Sequence, residues 1–432
     1  MVEVALLAIA ALVLLLTLGV PLPYCFGGAL MVMYFVGDVI MKGNILWGMQ
    51  QLGNPVLLAI PLFVLAGTIM SESGIAASLL RFVNAFVGHI RGGLGVVAAV
   101  SCAVIGAISG SGLTGIAAIG PLLIPEMEKR GYPREYATAL IANSSILGLL
   151  IPPSVTMILY GWVTDTSILA CFLSTLLPGL LIMFNFSVVN LFMARKFPLV
   201  LDDKPSLSDL SGEIAKRGFN AFPALMMPII ILGGIYGGVM TPTEAAAVAV
   251  VYSIPVGFLI YKGLRWSNFL LAGKEAATAV GTIMMMILFS MIFSQMLVYE
   301  SVPQKLVGAI FEITHNKIVL LILVNLLLFF VGMVVNDATA IILIGPLLLP
   351  LMNAIGVSPV QFAAIMGVNT AMGGVTPPYA SILYLGARIG KVKVTKVIRP
   401  AMILIVTGYV PVVFLTSFWP ALSTFLPSFF GY

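Results

Sequence analysis

The chain is short of the side chains that carry acid–base, redox and metal chemistry. Among its 432 residues are two histidines and three cysteines, and charged residues make up only 9%. Cys25, Cys102 and Cys171 lie in or beside apolar runs without paired spacing, so neither a disulfide framework nor a zinc site is expected, and no transition metal. His89 and His315 stand alone in loop-like stretches, where a solvated histidine is a plainer reading than a proton relay. No Walker-type phosphate loop occurs, which excludes ATP hydrolysis by that device, and no HExxH occurs either. The serines in apolar segments have no histidine companion, so an intramembrane enzyme is disfavoured. The net charge of +5 sits in short loops between apolar segments, the place of orientation signals, and calls for no nucleic acid.

What the chain has in abundance is apolar length. Hydrophobic residues make up 60%, and the mean hydropathy is +1.13. A bilayer core about 30 Å thick takes roughly 20 apolar residues per helix, and stretches of that size recur along the whole chain. Backbone amides need partners inside lipid, and the segments lack barrel-like alternation, so an all-α polytopic membrane protein is expected. The opening stretch EVALLAIAALVLLLTLGVP has no small-residue cleavage site and reads as a retained helix. Spans are expected near 4–20, 22–40 and 55–70, and again near 222–240, 245–260 and 277–298. GVPLP and GVMTPTEA mark equivalent turns in the two sets.

The chain repeats itself. IGPLLIP at 119–125 returns as IGPLLLP at 344–350, 225 residues later, and the register holds without a gap: Gly131 falls on Gly356, Gly148 on Gly373, Pro152-Pro153 on Pro377-Pro378 and Gly161 on Gly386. SGSGLTG at 109–115 superposes on VVNDATA at 334–340, and both interrupt an apolar run with small polar residues. Charge tells the copies apart. Lys129, Arg130 and Arg134 follow the first interrupted run, whereas no basic residue follows the second. One segment later Asp165 stands against Arg388, Lys391, Lys393, Lys396 and Arg399. By the positive-inside rule the repeats are inverted, the arrangement of secondary transporters with broken helices near the bilayer midplane.

On this reading SGSG and VND are tips of re-entrant hairpins, one from each side. The second broken element of each copy is NSSILGLLIPPS (143–154) and NTAMGGVTPPY (369–379), where glycine loosens the helix and paired prolines remove amide donors. Carbonyls left without partners, with hydroxyls, suit a small hard cation such as sodium, while half-helix N-termini favour an anionic substrate. Small residues also serve plain helix packing, and that alternative stands. Asp337 is an ionisable group in an apolar hairpin, which reads either as functional or as a helix N-cap. A channel is disfavoured because its pore usually lies on an axis shared by several chains.

These motifs resemble the large membrane subunit of the tripartite ATP-independent periplasmic (TRAP) transporters, and the likeness spans essentially the whole sequence. The resemblance implies a fold of two inverted repeats like that of the divalent anion/sodium symporters, with an elevator movement in the bacterial inner membrane. It implies at least two sodium sites. The first would use Ala107, Ser109, Ser111, Asn143, Gly148, Ile151 and Ser154, the second Gly332, Asn336, Asp337, Thr370, Gly373 and Thr376. An organic acid, of C4-dicarboxylate or sialic acid type, would lie near Ser111, Gly112, Asp337, Ala338, Pro152, Pro153, Pro377 and Pro378, with no lysine or arginine in either motif to clamp it. Implied partners are a small four-helix membrane subunit, expected as a separate chain, and a soluble periplasmic substrate-binding protein. The alternative is a stand-alone sodium/anion symporter of the same fold.

The implied organisation is scaffold helices over 1–92, transport elements over 93–194, a cytoplasmic linker over 195–220, scaffold helices over 221–317, transport elements over 318–400 and a C-terminal helix over 401–432. The linker is expected to form a partly amphipathic surface helix. Ten crossings and two hairpins would leave both termini outside. Trp47, Trp162 and Trp266 are expected as interfacial anchors.

Overall fold

A computed structural model describes residues 2–37, 41–200, 207–378 and 380–432. Helices are the regular elements of these residues. The first half opens with α1 (Val2–Thr17), α2 (Leu22–Gly37), α3 (Met41–Leu52), α4 (Ala59–Glu72) and the amphipathic α5 (Ile75–Val87). Next come α6 (Gly93–Ser109) and α7 (Gly112–Lys129), then α8 (Arg134–Ser145), the short α9 (Leu147–Leu150), α10 (Val155–Val163) and α11 (Ile168–Ala194). The second half runs α12 (Leu207–Tyr236), α13 (Pro242–Pro255), α14 (Trp266–Tyr299), the amphipathic α15 (Val302–Ile313), α16 (Lys317–Val334) and α17 (Asp337–Ala354). It closes with α18 (Pro359–Gly373), α19 (Ser381–Ile389), α20 (Val394–Leu404), α21 (Val410–Phe418) and α22 (Ala421–Phe429). Eight helices among the described residues are long and apolar enough to cross a bilayer, or nine if α8–α9 and α10, bent by 40°, count as one.

Glycines end the helices at matching places for one physical reason. At Gly19 and Gly238 the backbone turns left-handed, with φ of 80° and 69°. The next residue's amide reaches back to close the last turn, Val20 to Leu15 O at 3.1 Å and Val239 to Gly234 O at 3.0 Å. Gly131 and Gly356 do the same after α7 and α17, with φ of 91° and 71°. The equivalent turns expected at GVPLP and GVMTPTEA are therefore present.

Two expected boundaries differ. The span placed at 277–298 begins at Trp266 and makes one 34-residue helix. The register carries α3 and α4 onto it, but where repeat one has the breaker Gly53-Asn54-Pro55, with Asn54 Oδ1 accepting from Val56 N at 3.0 Å, α14 has Thr278-Ala279-Val280. Nothing stops the helix there. The linker's second half is not a separate surface helix: from Leu207 it is the first part of α12, because no residue before Phe222 breaks the helix. Linker residues 201–206 and the 38–40 end of the expected 22–40 span lie outside the described residues, as does Tyr379.

The halves are interlaced. The second limb of each broken helix packs on the other repeat: α10 lies against α17 and α18, and α19 against α7 and α8. Tyr160 donates to Pro359 O at 2.8 Å, and in the matching place Arg134 Nε donates to Gly390 O at 2.6 Å. The latter contact, with Lys396 at 3.6 Å from Glu135, gathers the basic loops of both repeats on one face. Arg91 joins that face by donating to Phe197 O at 2.9 Å.

Leucine gains little by leaving lipid for protein, so buried amides and close small-residue contacts supply specificity here. Asn190 on α11 donates to Gly92 O at 2.7 Å and accepts from Tyr136 at 3.4 Å. In the second repeat Asn325 on α16 donates to Ser417 Oγ at 2.8 Å and accepts from Asn369 Nδ2 at 2.8 Å. Gln361, which the register pairs with Tyr136, donates to Thr416 O at 3.1 Å. Each set ties an arm, a broken helix and the helix after it into one body. A smaller core of α1, α2 and the end of α14, around Phe26 and Phe293, stands apart.

Candidate functional site

Two helix hairpins bring their tips together in the interior. At the first, α6 ends at Ser109 and Gly110 reverses the chain with φ of 62°. A side chain at Gly110 would fail twice, by that conformation and because its Cβ would sit 2.9 Å from Pro153 O. Ser111 then precedes α7 in extended backbone, and its hydroxyl makes no cap bond. At the second tip Asn336 occupies the matching position and does cap, accepting from Thr339 N at 3.0 Å. Asp337 is thus the first helical residue and not the cap.

Each hairpin crosses its broken helix glycine on glycine. A Cβ on Gly106 would lie 2.2 Å from Gly148 Cα, and one on Gly373 would lie 2.3 Å from Gly332 C. Only bare backbones come this close. The contact brings together the expected second-site residues Gly332, Thr370 and Gly373: a Cβ on Gly332 would sit 3.4 Å from both Thr370 Cα and Asn369 O. In the first set, a Cβ on Gly148 would lie 3.0 Å from Ser111 O. Ser109 donates to Ile105 O at 3.1 Å and to Ser111 O at 3.4 Å. Ala107 is buried one residue beyond the crossing glycine. Gly106 itself escaped the sequence reading, although it precedes Ala107 by one residue.

The broken helices are less bare than expected. Pro153 cannot donate to Leu149 O, but the hydroxyls of Ser154 and Thr156 do, at 2.6 and 3.3 Å. Pro377 cannot donate to Gly373 O, and Thr376 N does so at 3.0 Å. Thr376 and Thr370 hydroxyls donate to Met372 O and Met366 O at 2.7 and 2.8 Å. A hydroxyl that donates to a carbonyl keeps its lone pairs for a cation. At Ile151 the chain turns extended, its amide bonding Leu147 O at 2.8 Å. Asn143, fully buried, donates to Ala139 O at 2.9 Å, and its Oδ1 has no hydrogen-bond partner. Both proline pairs are cis.

Between the tips lies a cavity of about 90 Å³. Ser111, Gly112 and Leu113 line it from the first hairpin, Asn336 and Asp337 from the second, and Leu149, Gly374, Ser381 and Ile382 from the broken helices. The N-terminal ends of α7, α17 and α19 all meet it, so helix dipoles point at one small space that has no cationic side chain in its lining. Of the expected substrate residues, Ser111, Gly112 and Asp337 line the cavity. Ala338 is buried, and it and the four prolines lie outside the cavity lining. Pro153 supports the hairpin from beneath through its carbonyl under Gly110, and Pro378 O is turned to the Tyr384 hydroxyl at 2.6 Å. Ser381 was missed, yet its register partner is Thr156, so a hydroxyl recurs at that place in both repeats.

Two clefts flank the centre. One, of about 640 Å³, is lined by Ser71, Glu72, Thr114, Gly263 and Glu275 and reaches Ser111 and Leu113 of the tip cavity. Gly263 of its lining stands in the loop that carries the basic residues Lys262 and Arg265. The other, of about 560 Å³, is lined by Gln51, Asp165, Gln304 and Asn353 and shares no residue with the tip cavity. Trp47 and Trp162 line this second cleft, whereas Trp266 is 71% exposed at the start of α14, as an anchor would be.

Comparison with known proteins finds relatives by sequence and by fold. The family model described as "Tripartite ATP-independent periplasmic transporter, DctM component" matches residues 9–422. The sialic acid TRAP transporter large permease protein SiaM of Vibrio cholerae is 35% identical over 89% of this chain and 90% of its own length. The C4-dicarboxylate TRAP transporter large permease protein DctM of Pseudomonas aeruginosa is 34% identical over 87% of each. Among solved structures, the Alcanivorax borkumensis YdaH transporter superposes with a TM-score of 0.61, covering 88% of this chain and 89% of that one at 14% identity, a likeness of fold.

Proposed function

The chain belongs to the DctM component family of the tripartite ATP-independent periplasmic transporters, and from that premise we propose that it drives sodium-coupled uptake of an organic acid. As a large permease subunit it is a multi-pass protein of the inner membrane. The substrate arrives on a soluble periplasmic binding protein, and a small membrane subunit completes the permease. The acid is a carboxylate of the C4-dicarboxylate or sialic acid type, the substrates named for two relatives.

The observation that carries this reading is the tip cavity. Three helix N-termini meet there without a lysine or arginine, so a carboxylate held at the site relies on amides, the Ser111 and Ser381 hydroxyls and neighbouring cations. Sodium supplies those cations. One ion sits between Ala107, Ser109, Ser111 and the first break at Asn143, Gly148, Ile151 and Ser154; the other sits between Gly332, Asn336, Asp337 and the second break at Thr370, Gly373 and Thr376. Oxygen donors without a carboxylate cage suit an alkali ion better than a divalent one. Each ligand binds best to a tip arrangement the other has already ordered, which couples their movement. The hairpins and broken helices, tied by buried amides, then move as one body against the scaffold in an elevator step. The cleft that reaches Ser111 from the basic loop at Gly263 fits release toward the cytoplasm.

The test is uptake of labelled succinate and N-acetylneuraminate into proteoliposomes holding this chain and its small subunit, with and without the binding protein, under an inward sodium gradient. Uptake that needs both sodium and the binding protein is expected. Sodium-driven uptake without the binding protein would identify a stand-alone symporter of the same fold, and uptake indifferent to sodium would remove the ion sites.

A further inference from the structure

The helix that follows the second broken helix is itself interrupted. Between α20 and α21 the residues Ile405–Tyr409 form a π-helical turn, a feature often found at functional sites. It is held from α11: Asn185 Nδ2 donates to Gly408 O at 3.1 Å, and Gly408 packs so closely on Phe186 that a Cβ there would lie 2.3 Å from the ring. The turn aims Tyr409 inward. Its ring meets Phe186 edge-on at 5.2 Å, it is fully buried, and its hydroxyl donates to the carbonyl of Asn143 at 3.2 Å.

Asn143 lies in the last turn of α8, where carbonyls run out of helical donors. Tyr409 takes one of them. Ser145 O, in the same turn, faces the first hairpin, 3.3 Å from where a Cβ on Gly112 or Gly115 would lie. Asn143 Oδ1 and Ser144 Oγ are buried there without hydrogen-bond partners. We propose that Tyr409 is a positioning residue for the first ion site, fixing the end of α8 so that its remaining oxygens are presented to the cation. The second repeat thereby sets the geometry of the first repeat's site. This proposal rests on the reading of that site as a sodium site.

Tyr409→Phe removes the hydroxyl and keeps the ring against Phe186. In proteoliposomes carrying the complete permease and binding protein, the sodium concentration for half-maximal uptake is expected to rise about three- to tenfold, the worth of one buried hydrogen bond. The maximal rate at saturating sodium should stay within about twofold. Asn185→Leu, which releases the turn and leaves the hydroxyl in place, should shift sodium dependence the same way and decides the matter if the first variant does not fold. Thr407→Val, exposed on the same turn, should change neither quantity. A Tyr409→Phe protein with wild-type sodium dependence, or one that loses only maximal rate, overturns the positioning role and leaves the sodium site standing. Wild-type uptake that ignores sodium overturns both.

Discussion

At the scale of single residues the site rests on glycines that carry no chemistry of their own. Gly373→Ala would place a methyl group 2.3 Å from the Gly332 backbone, and backbone cannot swing aside as a side chain can. A loss of about 1–3 kcal/mol is expected from overpacking alone, read as a lower melting temperature in detergent together with loss of uptake. Gly308→Ala on α15 meets nothing within 4 Å and should leave both unchanged. Asn336→Ala removes the cap bond to Thr339 and is expected to cost about 1 kcal/mol. Because Asn336 also lines the tip cavity, its loss should weaken substrate dependence beyond what stability explains, measured as the substrate concentration for half-maximal uptake.

At the scale of elements, interruptions distinguish one helix from another. Repeat one breaks between α3 and α4 because Asn54 caps and Pro55 starts a new turn, while α14 runs through the same register with Thr278-Ala279-Val280. Buried amides then tie separate elements to one another. Asn325→Leu would leave Asn369 Nδ2 and Ser417 without their partner on α16. A loss of about 1 kcal/mol is expected, with hydrogen exchange rising in α16 and α18 and not in α1 or α2. Exchange rising equally in α1 and α2, which pack in a separate core, would show that the arm and broken helix are not a distinct body.

At the scale of the molecule the two clefts are unequal, since only the one bordered by the basic loop at Gly263 touches the tip cavity. With the native thiols buried, Thr114→Cys should react with a membrane-impermeant maleimide from the cytoplasmic side, and Gln304→Cys from the opposite side. Reaction of Thr114→Cys from the periplasmic side alone would reverse the orientation read from the basic loops.

Much of this architecture was legible in the sequence. The 225-residue register, the glycines that close α7 and α17, the hairpin tips and the basic loops are local or periodic signals, and a bilayer magnifies them by penalising every unpaired amide and every misplaced charge. Ser381 could have been read from its register partner Thr156. What only the tertiary structure decided are matters of distance between segments far apart in sequence: that Gly106 and not its neighbour meets Gly148, that the prolines support the tips and do not line the cavity, that hydroxyls already occupy Leu149 O, and that Tyr409 reaches Asn143. Residue types state which groups want partners. Which partner each one finds depends on how α10 and α19 exchange between repeats, and that exchange leaves no mark in any one stretch of the chain.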